Sequence, residues 1–376
     1  MMQSIPLSLY IHTPWCVQKC PYCDFNSHNI KQTPEYSDYI DHLLVDLHHD
    51  LLLAGNRSIH SIFIGGGTPS LFSAELINRL LSAIQREIPF EKDAEITIEA
   101  NPNSADANHF AGYINAGINR ISIGVQSFQA DKLDKLGRVH NPQDAINAAK
   151  LANSLPLRSF NLDLMHGLPN QSLNDALFDL QQAIDLAPPH LSWYQLTIEP
   201  NTLFGSKPPK LPDEDLLWDI YQQGHQLLTA NGYEQYETSA YAKAGLQCQH
   251  NLNYWRFGDY LGIGCGAHGK LTQPNGQIIR TIKTRHPKGY MAGRYLEKSY
   301  VVPQEELPFE FFMNQFRLHE PTPKLRFMQT TQLPLSIIEP QIKQALDQQY
   351  ITEDNDYWYL TEKGKLYLNS LLELFL

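Results

Sequence analysis

The chain has little cysteine, no long uninterrupted apolar run and no run of basic residues, and each shortage removes a class of protein. Its five cysteines in 376 residues are too few and too unevenly placed for a disulfide framework: Cys16, Cys20 and Cys23 crowd together, and Cys248 and Cys265 stand apart. The leucine-rich stretch over 43–53 is broken by Asp46, His48, His49 and Asp50, so no segment reaches the length of a membrane span. The opening MMQSIPLSLYIHTPWC has no basic start and no cleavable apolar core, so no secretory leader is expected and the expected compartment is the cytoplasm. With 29 Lys+Arg against 40 Asp+Glu the net charge is −11, which does not suit a nucleic-acid binder. What is present, 42% hydrophobic and 18% charged residues, supports a sizeable core and excludes a disordered or fibrous chain.

Six short β-branched or aromatic runs, ending at Thr13, Gly67, Ala100, Gln126, Gly167 and Leu196, alternate with helix-like segments over 36–53, 74–87, 105–116, 144–152 and 173–186. Such alternation implies βαβ units and a parallel sheet. The runs are apolar at most positions, which suits strands covered on both faces. A doubly wound open sheet shares that pattern. Chemically active residues fall at the C-terminal ends of successive runs, however, and this favours a partial (β/α)6 TIM-like barrel.

After Ala240 the composition changes to a Gly-rich segment over 258–269, followed by the turn-rich QPNGQIIRTIKTRHPKGY. From Pro303 on, helical patterns lead into two short strands around Asp354, Asn355 and Asp356, and a final amphipathic stretch, GKLYLNSLLELFL. The expected division is a barrel over 1–240, a Gly-rich connecting region over 241–300 that carries HNLNYW, and a small α+β, winged-helix-like domain over 301–376. The acidity of the last argues for a packing or lid role.

The segment IHTPWCVQKCPYCDFNSH spaces Cys16, Cys20 and Cys23 as C-x3-C-x2-C. Three thiolates on one loop suit a 4Fe-4S cube that keeps one iron without a protein ligand. Structural zinc with His12 or His28 as fourth ligand stays open on spacing alone, as do plain buried thiols. One strand later, Gly65-Gly66-Gly67-Thr68-Pro69-Ser70 lets backbone approach a ligand closely, or simply makes a tight turn with Ser70 or Ser73 as a helix cap. Glu99 in TIEANP is a carboxylate at the end of an apolar strand that could accept from an ammonium group.

The cysteine spacing, with Tyr22 before the last cysteine, resembles the radical S-adenosylmethionine (SAM) superfamily, and the resemblance extends over most of the chain. It implies a 4Fe-4S cluster on Cys16, Cys20 and Cys23, with SAM chelating the open iron. It also implies SAM-binding roles for Tyr10, Tyr22, Gly66, Gly67, Thr68, Glu99, Gln126, Arg138 and Asp163. Of these, Gly66 and Gly67 belong to the motif that meets the methionine amino group. Arg138 could pair with a carboxylate, and Gln126 or Asp163 could bond ribose or adenine.

Within the superfamily, CVQKCPYCDFNS, GGGTPS, IEANP, GVQSF, NLDLMHGLP, HNLNYW and GIGCGAHG resemble the branch that holds oxygen-independent coproporphyrinogen III oxidase and a type of heme chaperone. Two departures separate this chain from the oxidase. Phe25 stands where the oxidase has a fourth cysteine, and the chain enters its first strand within ten residues, without the oxidase's N-terminal extension. The CDFNS form and His250-Asn251-Leu252-Asn253-Tyr254-Trp255 match the chaperone type. The resemblance therefore implies heme binding and transfer to an acceptor protein, soluble or membrane-associated, with no catalytic residue assigned and no coproporphyrinogen oxidation.

His250 is the heme-ligand candidate. Cys248 is a competing thiolate, and a hydrogen-bonded structural histidine is the ordinary alternative. The other functional readings are an oxidase of this branch and, from another class, a zinc-stabilised interaction protein. Gly264-Cys265-Gly266-Ala267-His268-Gly269 matches G-x-G-x-x-G, but a turn-rich segment follows it instead of a helix, so a dinucleotide site is rejected.

Overall fold

The structure, a computed structural model, describes residues 5–32, 34–104 and 107–376. The six apolar runs form parallel strands: β1 Leu7–Thr13, β2 Ile59–Gly66, β3 Phe90–Ala100, β4 Arg120–Gln126, β5 Ser159–His166 and β6 His190–Gln195. Between them run the helices Tyr36–Ala54, Ala74–Glu87, Ala107–Asn115, Pro142–Ser154 and Leu173–Asp185. The first positions expected of the third helix, Ala105 and Asp106, lie outside the described residues.

The strand order separates the two α/β architectures that composition leaves open. β1 to β6 neighbour one another in sequence order, with no reversal. Right-handed crossovers in an unreversed order put every helix on one face and curl the sheet around the other, whereas a doubly wound sheet needs a switch point. The result is a partial barrel. It stays open: beyond β6 lie two short antiparallel strands, β7 Glu234–Glu237 and β8 Ala240–Ala242. On the far side of β1 the chain returns as parallel β9 Asp259–Ile263. Antiparallel β10 His268–Thr272, β11 Ile278–Lys283 and β12 Leu296–Val301 complete a 12-stranded sheet.

Both faces of the barrel strands are covered, but by unlike groups. Leu9, Ile11, Ile62, Ile64, Ile98, Ile121, Ile123 and Leu162 face the helices in one apolar core. The alternate positions turn Ser8, Ser61, Glu95, Arg120, Asn161 and His190 inward, all buried. These polar groups tolerate burial because most meet partners across the barrel. Ser8 Oγ lies 2.7 Å from Ser61 Oγ, and His190 Nδ1 lies 2.7 Å from Asn161 Oδ1.

After residue 301 the helices Leu307–Gln315, Lys324–Thr331 and Glu339–Asp347 pack with a hairpin of Ile351–Glu353 and Tyr357–Leu360, to which Thr322–Pro323 adds a third strand. Phe311, Phe312, Phe327, Trp358 and Phe375 form its aromatic core, a winged-helix-like arrangement. That core reaches Phe257 and Ile278 of the barrel sheet region. Among the described residues no helix is long and apolar enough to cross a membrane.

Candidate functional site

The cysteine loop leaves β1 directly and is pinned at both ends. Trp15–Cys16 and His28–Asn29 pair as a two-stranded parallel ribbon. Lys19 Nζ donates to the Phe25 carbonyl at 2.9 Å, and Asn26 Nδ2 donates to the Cys265 carbonyl at 2.9 Å. Cys16, Cys20 and Cys23 are free thiols, partly buried, and all three line one cavity of about 380 Å³ at the C-terminal ends of the strands. Burial pushes the Cys16 and Cys23 thiols up, so that without a metal they hold their protons.

The glycine motif forms the opposite lip. Gly66 has φ +112°, and a Cβ there would lie 2.6 Å from the His12 ring. At Gly67 a Cβ would lie 2.4 Å from the Trp15 carbonyl oxygen, beside the cysteine strand. The glycines are thus needed for backbone to pass backbone: Gly67 N donates to Thr13 O at 2.6 Å and Thr68 N to Trp15 O at 2.8 Å.

Two carboxylates and one guanidinium converge behind this lip. Glu99 Oε2 accepts from Gly66 N at 3.1 Å. Its depth in the cavity, and then the nearby Asp163, push its carboxyl up to about 8. Asp163 accepts from Asn161 Nδ2 at 2.7 Å and Ser122 Oγ at 3.2 Å, yet burial still raises its carboxyl. Arg138 Nη2 donates to Asn101 Oδ1 at 2.9 Å and to the Gly124 carbonyl at 2.8 Å, and Nη1 lies 3.7 Å from Cys20 Sγ. Its Nε is buried without a hydrogen-bond partner. Gln126 ends β4 with φ +67°, a strained value for a side-chain-bearing residue, and its Oε1 accepts from Tyr194 OH at 2.9 Å.

Eleven of the thirteen residues singled out from the sequence therefore line this single cavity: Cys16, Cys20, Cys23, Tyr22, Gly66, Gly67, Thr68, Glu99, Gln126, Arg138 and Asp163. Tyr10 lines an adjoining cavity instead, and its OH bonds His12 Nδ1 at 2.9 Å. His250 lines neither cavity. It sits in helix Gln249–Trp255 under the barrel interior, only 1% exposed, with Nδ1 3.0 Å from Ser61 Oγ and its backbone N donating to Glu95 Oε1 at 3.1 Å. Burial, then the charge of Arg120, lowers its ring to about 3, so it is neutral, and Nε2 has no partner. Cys248 is buried 3.5 Å from Glu95, and Cys265 Sγ donates to the Arg285 carbonyl at 3.0 Å; neither lines the cavity of the three clustered thiols. The glycines over 264–269 form the turn from β9 to β10, where a dinucleotide fold would place a helix.

Asn101, Ser122 and Tyr194 are site residues that the sequence reading missed. Asn101 directly follows Glu99-Ala100 in TIEANP and carried a legible signal, whereas Ser122 and Tyr194 reach the cavity only through strand register.

The donor set suits the cofactors that such a loop implies. Among the described residues no three His, Cys, Asp or Glu side chains are gathered tightly enough for a single metal ion. A cube does not require such convergence, because it gives each thiolate an iron of its own. Arg138 Nε and the barely satisfied Glu99 offer one donor and one acceptor to a zwitterionic ligand.

The comparisons with known proteins agree with this geometry. The family model described as Radical SAM superfamily matches residues 10–181, and the HemN C-terminal domain matches residues 302–367. The chain is 64% identical over 376 residues to the heme chaperone HemW of Escherichia coli (strain K12), covering 100% of each. It is 64% identical over 375 residues to the HemW of Haemophilus influenzae, covering 99% of this chain and 98% of that one. The solved coproporphyrinogen III oxidase (HemN) of Escherichia coli, described as a radical SAM enzyme, superposes with a TM-score of 0.84 at 22% identity over 99% of this chain and 90% of that one; this likeness is one of fold. Barrel, loop and family match thus define a radical SAM protein. The chain belongs to the HemW family of heme chaperones.

Proposed function

We propose that the protein binds heme and passes it to an acceptor protein, while carrying a 4Fe-4S cluster on Cys16, Cys20 and Cys23 and one SAM beside it. The observation that carries this reading is the convergence of three thiols, the Gly66-Gly67-Thr68 lip and the Glu99, Asp163 and Arg138 charges in one cavity of a chain 64% identical to a heme chaperone. The cluster, when bound, supplies an open iron and an electron.

The chain's own residues do the rest. Glu99 would accept a hydrogen bond from the SAM amino group, Arg138 Nε would donate to its carboxylate, and Gln126, Tyr22 and Asp163 would hold the nucleoside end, with Tyr10 behind the lip. His250, neutral and with Nε2 unpartnered, is the heme-ligand candidate; it lines neither cavity and packs 4.9 Å from the Tyr254 ring, so its ring would have to move past Tyr254 to reach a ligand in the second one. Along the chain we divide the labour between 1–240 for cluster and SAM, 241–300 for heme contacts and 301–376 for packing.

Anaerobic reconstitution followed by heme titration tests the reading. The wild type should gain a cluster absorbance and a saturable heme spectrum. Failure to bind heme in both the apo and the cluster-loaded form overturns it, as does conversion of coproporphyrinogen III when SAM and a reductant are added.

A further inference from the structure

A second cavity of about 490 Å³ opens beside the first and shares Gly66, Glu99 and Phe25 with it. Three sequence motifs each place there a residue that has no role in cluster or SAM binding. Phe25, from CDFNS, stays 59% exposed on the loop. Tyr254, from HNLNYW, packs its ring 4.1 Å from that of Tyr260. His268, from GIGCGAHG, is exposed at the mouth.

Arg285 completes the rim. Its backbone carbonyl accepts from Asn26 Nδ2 at 2.9 Å, Cys265 Sγ at 3.0 Å and His28 Nε2 at 3.3 Å, so its position is fixed by the cysteine loop and the β9–β10 turn together. Its guanidinium has no ion-pair or hydrogen-bond partner among the described residues. The neighbouring Arg280 differs, being held by Glu310 at 2.6 Å and Tyr260 OH at 2.7 Å. In a chain of net charge −11, an uncommitted cation at the lip of an aromatic cavity marks a place for an acidic ligand with a flat apolar body.

We propose that the heme macrocycle lies in this second cavity against Tyr254, Tyr260 and Phe25, with its carboxylates held at the rim by Arg285 and His268. The proposal rests on the heme-binding reading above and adds the place and the groups that select the ligand. Arg285 presents the planar fork that a carboxylate takes, and His268 offers a ring N–H beside it. Through Glu99 and Gly66 the macrocycle would share a wall with the SAM cavity.

The test titrates the full chain with heme and with heme dimethyl ester, in which both carboxylates are blocked, for the wild type, Arg285→Gln and His268→Ala. Both residues are exposed, so the variants should match the wild type in far-UV circular dichroism. The wild type should prefer the free acid. Arg285→Gln should weaken heme binding about fivefold, the scale of a partly exposed ion pair, and leave the ester unchanged, erasing the preference. Equal wild-type affinity for acid and ester overturns the proposal, as does an unaltered preference in Arg285→Gln. Equal competition by coproporphyrin III, which carries four carboxylates and no iron, overturns it in favour of a substrate site. A wild type that binds neither heme nor ester overturns instead the reading on which the proposal stands.

Discussion

Glu99 and Asp259 are carboxylates withdrawn from bulk water, and they behave in opposite ways. Asp259, under the barrel, accepts from Arg57 Nη1 at 2.7 Å, Lys270 Nζ at 3.1 Å, and Thr272 N and Oγ1, both at 2.8 Å. Burial opposes its ionisation, but Lys270, Arg57 and the Thr272 backbone outweigh it and hold the carboxyl below its ordinary range. Glu99, at the mouth, has one backbone N–H and no cation, with Asp163 nearby, and its carboxyl rises to about 8. Asp259 is saturated by its own chain, whereas Glu99 is left short of partners, the pattern common to groups at functional sites.

The sharpest break in this comparison is at the cysteines. Cys16→Ser, Cys20→Ser and Cys23→Ser should each abolish cluster absorbance after anaerobic reconstitution, while thermal melting of the apo protein moves little, because the thiols contribute no saturated network.

Next in size is Lys283→Met. Lys283 is fully buried and bonds Asp46 at 2.6 Å and Asp50 at 2.8 Å, so its loss strands two carboxylates and should destabilise the fold by about 3–5 kcal/mol in urea titrations, with cluster loading retained.

The third prediction concerns pH. A carboxyl raised from 4.5 to about 8 binds more protons folded than unfolded, so stability falls as pH climbs through that window, at most about 1.4 kcal/mol per pH unit. Glu99→Gln should flatten that decline. Asp259, depressed below 3.8, contributes stability that is present above that value and lost as pH falls through its folded value. Its acid limb should persist in Glu99→Gln, and identical pH profiles for that variant and the wild type would refute the contrast. Smallest is Tyr194→Phe, which removes the hydrogen bond to Gln126 and should cost about 1 kcal/mol of stability, with weaker SAM binding read by calorimetry.

Much of the barrel was legible because its signals are local. The helix expected over 74–87 is found as Ala74–Glu87, and the first and fourth runs end as strands at Thr13 and Gln126. Capping boxes at Asn141 and Ser172 extend that local logic. The strands over 259–301 were not foreseen. Lys270 and Lys283 lie beside and within a stretch that reads as turn-rich, yet both are buried on strands, and Lys283's partners Asp46 and Asp50 lie more than 230 positions away. The same holds at the site: Cys16, Cys20 and Cys23 announce themselves by spacing, but Ser122 and Tyr194 arrive by register, and the emptiness around Arg285 exists only once the loops are folded together.

The pairing of β1 with β9 has a consequence for biosynthesis. Leu7 sits beside Asp259, 252 residues later in the chain. At about 5–20 residues per second, the first strand waits on the order of ten to fifty seconds after its own emergence for that neighbour to be translated. Throughout that interval β1 is a sheet edge with unpaired backbone on one side, continuous with a loop of three thiols, and such edges invite foreign strands. Ribosome stalling before residue 259 would therefore release a nascent chain that is both adhesive and oxidisable.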